Sequence, residues 1–407
     1  MKKSLLIAAL AVFTMASCSK DEVVETPQNE IKYNVLAANK TKASQVYGSG
    51  KLMESFQVWG GYTADGTTFA PYFSNEAVNA EGDKWVPEST RYWPETGSGK
   101  ELSFYAIAGF TKANSGSEYM IYADANSATW AGARQPVVVG FTPNTDVTKQ
   151  EDFLYSVYNQ KDAVGSDTKA KMNFRHALSQ IEFQAKNTSD HLYVTISGVA
   201  VGQVSASGNF KFPVESTDQN WKWNQPTSET TGSADTDASD NDGNVGTWTL
   251  NDTKANYVVN LAASVPVEND KNLVNLTRSS GYETGGNSLL LLPHTTATTA
   301  WTGGAAFDGT YIAVKCQIYN IAGDEYVNGD VLLHDGWAVI PVSFTWKPGK
   351  RYIYTLLFGN GDGGYDGGKD PDPKPGVDPV LLPIEYEVTV DDFDRIVEPD
   401  SEFKTNK

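Results

Sequence analysis

The sequence predicts an all-β protein, and three observations carry that expectation. Helical periodicity is nearly absent along the 407 residues. Short runs that alternate, or that are rich in β-branched and aromatic residues, recur instead, bounded by clusters of Gly, Asn, Asp, Ser and Thr that read as turns. Their spacing suits antiparallel sandwiches with long loops. The runs fall at 56–59, 102–108, 119–123, 136–139, 181–183, 193–196, 257–261, 289–292, 311–318 and 351–358.

The chain opens on an export signal. Lys2 and Lys3 form a positive start, and residues 5–16 are an apolar run of signal-peptide length. Met15, Ala16, Ser17 and Cys18 then make a lipoprotein cleavage box: small residues before the cysteine admit a signal peptidase, and the Cys18 thiol would carry a diacylglycerol. Lys20, Asp21 and Glu22 resemble the basic-acidic-acidic signal that sends certain Gram-negative lipoproteins to the outer face of the outer membrane, with a soluble tether as the plainer alternative. No second apolar segment reaches about 18 residues, so the acyl chains would be the membrane contact. The remaining chain is too long for one ordinary core and suits two domains of about 150 residues each. The expected division is a signal peptide over 1–17, a lipidated tether over 18–30, an N-terminal domain over 31–169, a C-terminal domain over 170–358 and a linker with a tail over 359–407. The junction is placed on the polar stretch 159–169. A second polar block, 227–246, reads as a surface loop. A third, 359–378, reads as a flexible and then extended linker.

Charge and cysteine count exclude several classes. A net charge of -18, with no window that concentrates Lys and Arg among aromatics, argues against nucleic acid as a partner. With Cys18 committed to lipid, Cys316 has no intramolecular disulfide partner and reads as a small buried hydrophobe.

The two end segments are the most informative part of the mature chain. In the tail, Ile384, Tyr386, Val388 and Val390 face one side and polar groups face the other, which is the pattern of a half-buried strand. A lone strand with an apolar face needs a sheet to join. Near the start, Ile31, Tyr33 and Val35 repeat the same Ile-x-Tyr-x-Val order, so one groove could accept either segment. Lys40 and Lys42 then lie in a polar run with the composition of a protease-accessible loop. A cut there would release the strand carrying Ile31, Tyr33 and Val35, and the tail of a neighbouring copy could fill the vacated groove by strand addition. Burying three or four such side chains contributes roughly 1.5 to 3 kcal/mol each before ordering costs. The tail is the longer strand, with Val390, Phe393 and Ile396 available beyond the shared pattern. The other reading is that the match is coincidental and the tail folds back on its own molecule.

Several longer motifs resemble the fimbrillin family, the lipoprotein-derived subunits of type V pili. Arg91, Tyr92, Trp93 and Pro94 followed by residues 102–106 (LSFYA) are similar to its first-domain signature. Residues 150–155 (QEDFLY), 172–179 (MNFRHALS) and 346–354 (WKPGKRYIY) are similar to later motifs in the same order. The resemblance implies two transthyretin-like β-sandwich domains with a C-terminal donor-strand extension, surface export as a lipoprotein, removal of the N-terminal strand and polymerisation by donor-strand exchange. Its best-known members are cut after arginine. No arginine precedes Arg91 here, so cleavage would fall at Lys40 or Lys42 or use a different protease. An uncleaved subunit would stay anchored through Cys18. The implied partners are other copies and other pilus subunits, the outer membrane through the lipid on Cys18, and host or bacterial surface ligands.

Catalytic and metal chemistry find little support. His176, His191, His294 and His334 are scattered without ligand spacing. Residues 97–100 (GSGK) lack the first glycine and the Ser or Thr of a phosphate loop and read as a hairpin turn. Residues 235–243 are acidic, but Ala238 and Thr249 interrupt a calcium pattern. No carboxylate pair stands out for glycoside hydrolysis. No cofactor, no metal and no enzymatic activity are expected. The second functional reading is a surface glycan-binding lipoprotein that stacks sugars on tryptophans, with Trp221 and Trp223 as the close pair, against the simpler view that these aromatics fill cores.

Overall fold

The computed structural model describes residues 29–36, 53–63, 69–94, 98–111, 136–161, 168–213, 245–269, 272–277, 288–297, 307–323, 325–359, 364–369, 373, 381–382 and 384–392. Among these residues the protein is all-β, without an α-helix. Nine strands precede position 177: β1 (Lys32–Leu36), β2 (Ser55–Thr63), β3 (Phe69–Glu81), β4 (Lys84–Pro87), β5 (Glu101–Ala108), β6 (Val137–Phe141), β7 (Leu154–Lys161), β8 (Lys169–Asn173) and β9 (Arg175–His176). There follow β10 (Ser179–Asn187), β11 (Leu192–Ser205), β12 (Gly208–Lys211), β13 (Thr247–Leu250), β14 (Lys254–Val267), β15 (Val274–Asn275), β16 (Leu289–Leu291), β17 (Thr295–Thr296), β18 (Tyr311–Asn320), β19 (Val331–Pro341), β20 (Phe344–Thr345), β21 (Lys350–Phe358), β22 (Gly364–Asp366), β23 (Leu381–Leu382) and β24 (Ile384–Asp392).

The first body is built on a six-stranded sheet in the order β4-β3-β2-β5-β7-β9. Its middle strand β5 is buried on both faces, so its residues serve two cores. Leu102, Phe104 and Ala106 face a cluster with Phe56 of β2 and with Ile31, Tyr33, Met172 and Phe174 on or next to the β1-β8 pair. Tyr105 and Ile107 face a cluster with Phe153, just before β7, and with Phe141, Phe210 and Phe212 on or next to β6 and β12 of the sheet β13-β12-β6. That small sheet joins strands from either side of position 170, because β6 pairs with β12. The same cluster takes in Ala177, Leu178, Leu290 and Leu292, and Gln150 Oε1 accepts a hydrogen bond from the Leu290 amide at 2.7 Å.

The second body is a pair of facing sheets, β15-β10-β21-β24 and β14-β11-β18-β19-β22-β23. Alternate residues of each strand meet between them: Ile181 and Phe183 from β10 and Tyr354, Leu356 and Phe358 from β21 pack against Val194 and Ile196 from β11 and Val314, Cys316 and Ile318 from β18. This is the alternation expected of the inner faces of two sheets packed face to face. Cys316 is fully enclosed, and burial pushes its thiol pKa far up.

The outer face of the second sheet carries a further apolar cluster with Ala200, Tyr311, Ala313 and Trp337. Residues expected to form a free linker lie against it. Gly364–Asp366 forms β22 on β19, the Trp337 amide donates to the Gly368 carbonyl at 2.8 Å and the Gly367 amide donates to the Trp337 carbonyl at 2.7 Å. The Tyr311 hydroxyl donates to the Pro373 carbonyl at 2.9 Å. The linker expectation is thereby corrected for these residues: Trp337 and Tyr311 are too large and apolar to leave uncovered, and a Gly-rich strip can approach them closely.

Gly336 makes that approach possible. Its φ is 149° and a Cβ there would stand 2.5 Å from the Gly368 carbonyl oxygen. Gly336→Ala is expected to unseat residues 364–369 and to destabilise the protein by about 1 to 3 kcal/mol. Hydrogen exchange at the Gly367 and Trp337 amides should accelerate at least tenfold, whereas the amides shared by β10 and β21 should keep their rates. Unchanged exchange at Gly367 would mean that the strip is not held there.

Candidate functional site

The N-terminal strand fills a slot in the first body. β1 runs parallel to β8, with Lys32 opposite Lys169 and Leu36 opposite Asn173. On its other side the Ile31 amide donates to the Arg91 carbonyl at 2.7 Å, the Trp93 amide donates to the Asn29 carbonyl at 2.9 Å, and Glu30 bridges Tyr92. Both backbone edges of the segment are therefore engaged. Ile31 is 3% exposed and Tyr33 6%, and the Tyr33 ring meets Phe56 and Phe104 edge-on, with centroids 5.7 and 6.0 Å away. Val35 packs on the same cluster, half-buried. The alternation read from the sequence thus places all three side chains inward.

An ion pair sits beside this slot. Glu76, buried on β3, accepts from Arg91 Nε at 2.7 Å, and Arg91 Nη2 donates to the same oxygen. That bond holds the guanidinium in its charged form and raises its pKa. The guanidinium also stands over the Tyr72 and Phe73 rings, 6.0 and 5.7 Å from their centroids. Burial first, and the Glu76 charge second, push the Tyr33 hydroxyl far above its ordinary pKa. Among the described residues neither the Tyr33 hydroxyl nor Glu76 Oε2 has a hydrogen-bond partner. The motif residues Arg91 and Trp93 were visible in the sequence, but Glu76 was not singled out. Its only signal is an acid in the middle of β3, followed by Ala77 and Val78.

The tail occupies a different edge. β24 pairs antiparallel with β21, from Ile384 opposite Phe358 to Asp392 opposite Lys350. Ile384 is fully buried in the second core, and Tyr386, Val388 and Val390 pack on that core only partly covered. Tyr386 lies 6.0 Å from Tyr354, and burial raises its hydroxyl pKa. Just before it, β23 adds to β22 on the opposite sheet, so Leu382 and Ile384 straddle the two sheets and plug the gap at their rim. The two Ile-x-Tyr-x-Val segments are therefore not brought together: one lies parallel to β8 in the first body and the other antiparallel to β21 in the second. In this state the tail folds back on its own molecule.

The remaining sequence-stated sites divide between the described and undescribed residues. Cys18, Lys20, Asp21, Glu22, Lys40, Lys42, Phe393, Ile396, Trp221, Trp223 and residues 235–243 lie outside the described residues. Trp59, Trp93, Trp337 and Trp346 are buried in the cores rather than displayed as platforms. His176 Nδ1 is 2.8 Å from Asp152, both buried. His294 meets the stacked Phe344 and Trp346 rings edge-on, and His334 is buried near Asp335; burial lowers the pKa of both. Among the described residues no group of three or more His, Cys, Asp or Glu could hold a metal ion, and no helix is long and apolar enough to cross a membrane. Lys100 of the GSGK stretch sits 5.3 Å over the Tyr62 ring.

A family model described as fimbrillin-like matches residues 41–369. Among solved structures, a fimbrial protein from Bacteroides vulgatus superposes with a TM-score of 0.54 at 16% identity, covering 89% of this chain and 99% of that one. A candidate cell adhesion protein from Bacteroides uniformis aligns with a TM-score of 0.39 at 11% identity, covering 89% and 98%. No curated protein matches the sequence significantly.

Removing the Tyr33 hydroxyl should separate packing from polarity in the slot. Tyr33→Phe relieves a buried, unpartnered group whose desolvation costs about 1 to 3 kcal/mol, so the urea midpoint should hold or rise. Ile31→Asp places a charge in the same core and should lower the midpoint sharply. A fall for Tyr33→Phe as well would mean that the hydroxyl is bonded in solution.

Proposed function

The chain belongs to the fimbrillin-like family, and from that premise we propose that it is a structural subunit of a cell-surface pilus that supports adhesion. In this reading the two bodies are transthyretin-like sandwich domains, divided near residue 170. The precursor is exported as a lipoprotein anchored through Cys18 to the outer membrane, with Lys20, Asp21 and Glu22 directing it to the cell surface. Cleavage at Lys40 or Lys42 frees the segment carrying Ile31, Tyr33 and Val35. The tail strand of a neighbouring copy, with Ile384, Tyr386, Val388 and Val390, then takes the slot between β8 and residues 91–93. The partners are other copies and other pilus subunits, and the role needs no catalytic centre or cofactor.

The observation that supports this reading best is the way β1 is held. Its Ile31 and Tyr33 side chains are buried, residues 32–36 pair with β8 along one edge and residues 29–31 bond residues 91–93, yet the segment precedes the matched family region and leads into the body through residues 37–52. Removing it would leave an apolar slot with the β8 edge unpaired, which is a site able to receive another strand. The tail offers the complementary feature. Tyr386 is only half covered at β21, so it gains burial by taking the place of Tyr33, which the slot encloses almost fully.

Deleting the tail outright would also remove Leu382 and Ile384 from the second core, so a milder variant is the better probe. Tyr386→Glu with Val388→Glu alters side chains that are already half exposed. The variant should fold, be displayed at the cell surface and form no filaments. Abundant filaments from it would overturn the donor-strand assignment. Mass spectrometry of the terminal peptide tests the companion step: a mature start between Thr41 and Ser44 is expected in filaments, and an acylated start at Cys18 there would refute cleavage.

A further inference from the structure

Exposed apolar side chains are concentrated at one end of the molecule. Of the eight large ones among the described residues, six gather there: Leu273, Tyr326, Val327, Val331, Leu332 and Leu333. Strand register fixes the place. Residues 188–191 join β10 to β11, Asn187 lies opposite Phe358, Phe358 opposite Ile384, and Leu192 opposite Asn320. The Ile321 amide donates to the His191 carbonyl at 2.9 Å, and Val274 opposite Ala185 brings Leu273 to the same end. This pole is remote from the first body, which is reached at the other end of β10 through Leu178 and Leu290. Tyr326 stacks on Tyr193 with centroids 4.8 Å apart and planes 13° apart, and Tyr319 lies 4.8 Å from Tyr326. Three consecutive exposed apolar residues on a hairpin add nothing to the core and mark a contact surface. The exposed charges around them are mainly acidic, Asp190, Glu268 and Glu325 with Asp330, against Lys186.

In the first body, Ala108 lies opposite Leu154 and Leu154 opposite His176, just before β10, whereas Leu102, at the other end of β5, lies opposite Tyr62; this far end carries a second tyrosine cluster. Tyr62 and Tyr72 have centroids 6.3 Å apart, and the Tyr72 hydroxyl donates to the Tyr92 carbonyl at 3.1 Å. Tyr92 is 36% exposed and bridges Glu30, so the cluster stands at the mouth of the β1 slot. Lys100 stands 5.3 Å over the Tyr62 ring, Lys32 lies opposite Lys169 across the β1-β8 pair, Glu30 beside Tyr92 and Glu101 opposite Thr63 are the acids, and Arg91 neutralises Glu76.

We propose that the two poles are the two halves of one head-to-tail interface, the Tyr326 and Leu333 pole of one copy seating on the Tyr72 and Tyr92 pole of a second copy. The inference rests on the strand-exchange reading, because the tail departs from Phe358 at the first of these poles and the slot opens at the second. A copy that receives the tail is thereby brought against the exposed hairpin. The patches differ, so the contact is heterologous and propagates as an open filament instead of closing as a dimer. Acidic residues at one pole meet lysines at the other, which fixes polarity more than affinity.

The test uses cells that produce the full chain, with filament length as the readout. Leu332→Glu with Leu333→Glu changes exposed side chains and should leave the melting temperature in place while shortening filaments at least tenfold. Tyr92→Lys in the same chain should restore part of that length, in a salt-sensitive manner. A synthetic peptide of residues 381–392, added in excess, reports strand exchange by itself. Peptide inhibition together with wild-type filaments from the glutamate variant would overturn the interface and leave strand exchange standing. Short filaments from the variant without peptide inhibition would support the pole contact and remove strand exchange. Wild-type filaments with lost adhesion would assign the patch to an external ligand and overturn the proposal.

Discussion

The structure depends on one constraint: a strand that is apolar on one side cannot end with its backbone row and its side chains in water. Every buried N–H and C=O must find a partner, and an edge that is neither paired nor covered is a site for association. Both ends of the described chain meet this constraint by lying on an edge. β1 does so inside the first body, bonded to β8 and to residues 91–93. β24 does so on β21 in the second body, with β23 crossing to the facing sheet. The linker between follows the same rule, since its Gly-rich strip covers Trp337 and Tyr311.

The two edges are filled unequally, and the inequality bears on assembly. Ile31 and Tyr33 are enclosed almost completely, whereas Tyr386, Val388 and Val390 keep part of their surface in water. A fully buried side chain of this size contributes roughly 1.5 to 3 kcal/mol, and the difference lies at the tyrosine, enclosed as Tyr33 and half-covered as Tyr386, since Ile384 is as buried as Ile31 and Val35 is half-buried like Val388. The unpartnered Tyr33 hydroxyl and the second oxygen of Glu76 offset part of the advantage of β1.

The all-β class and much of the strand set were legible because sandwich strands alternate. The run 181–183 is the centre of β10, 311–318 lies in β18, and 351–358 lies within β21. The inward faces of both end strands were legible for the same reason: Ile31 and Tyr33, and Ile384, sit in cores. Which edge each strand chooses was not legible, since period-two patterning states a buried face and says nothing of the neighbour. The pairing of β6 with β12, across position 170, was hidden for a similar reason, because a three-stranded cover sheet assembled from distant segments leaves no local mark. Glu76 escaped notice because its partner Arg91 is on a different segment, and only the pairing of β3 with its surroundings brings them within 2.7 Å. The docked strip at 364–369 was read as free because Gly and Asp suggest flexibility, yet glycine also permits close approach to a large ring.

The position of Leu382 and Ile384 constrains how a tail could be released. They are the tail's most deeply enclosed residues and reach the second core from two different sheets. Extracting both exposes roughly 3 to 6 kcal/mol of burial before any strand has been accepted elsewhere. The half-covered residues Tyr386 to Val390 have little to lose by comparison. Detachment starting from the end of β24 far from Ile384 would therefore come at low cost and leave the Ile384 plug seated. A neighbouring slot could capture the freed part of the strand first, and its burial there would offset the later loss of the plug. That order of steps follows from the contrast between the buried Ile384 and the half-covered Tyr386, Val388 and Val390, and in the strand-exchange reading it would keep the isolated molecule closed until an empty slot is close by.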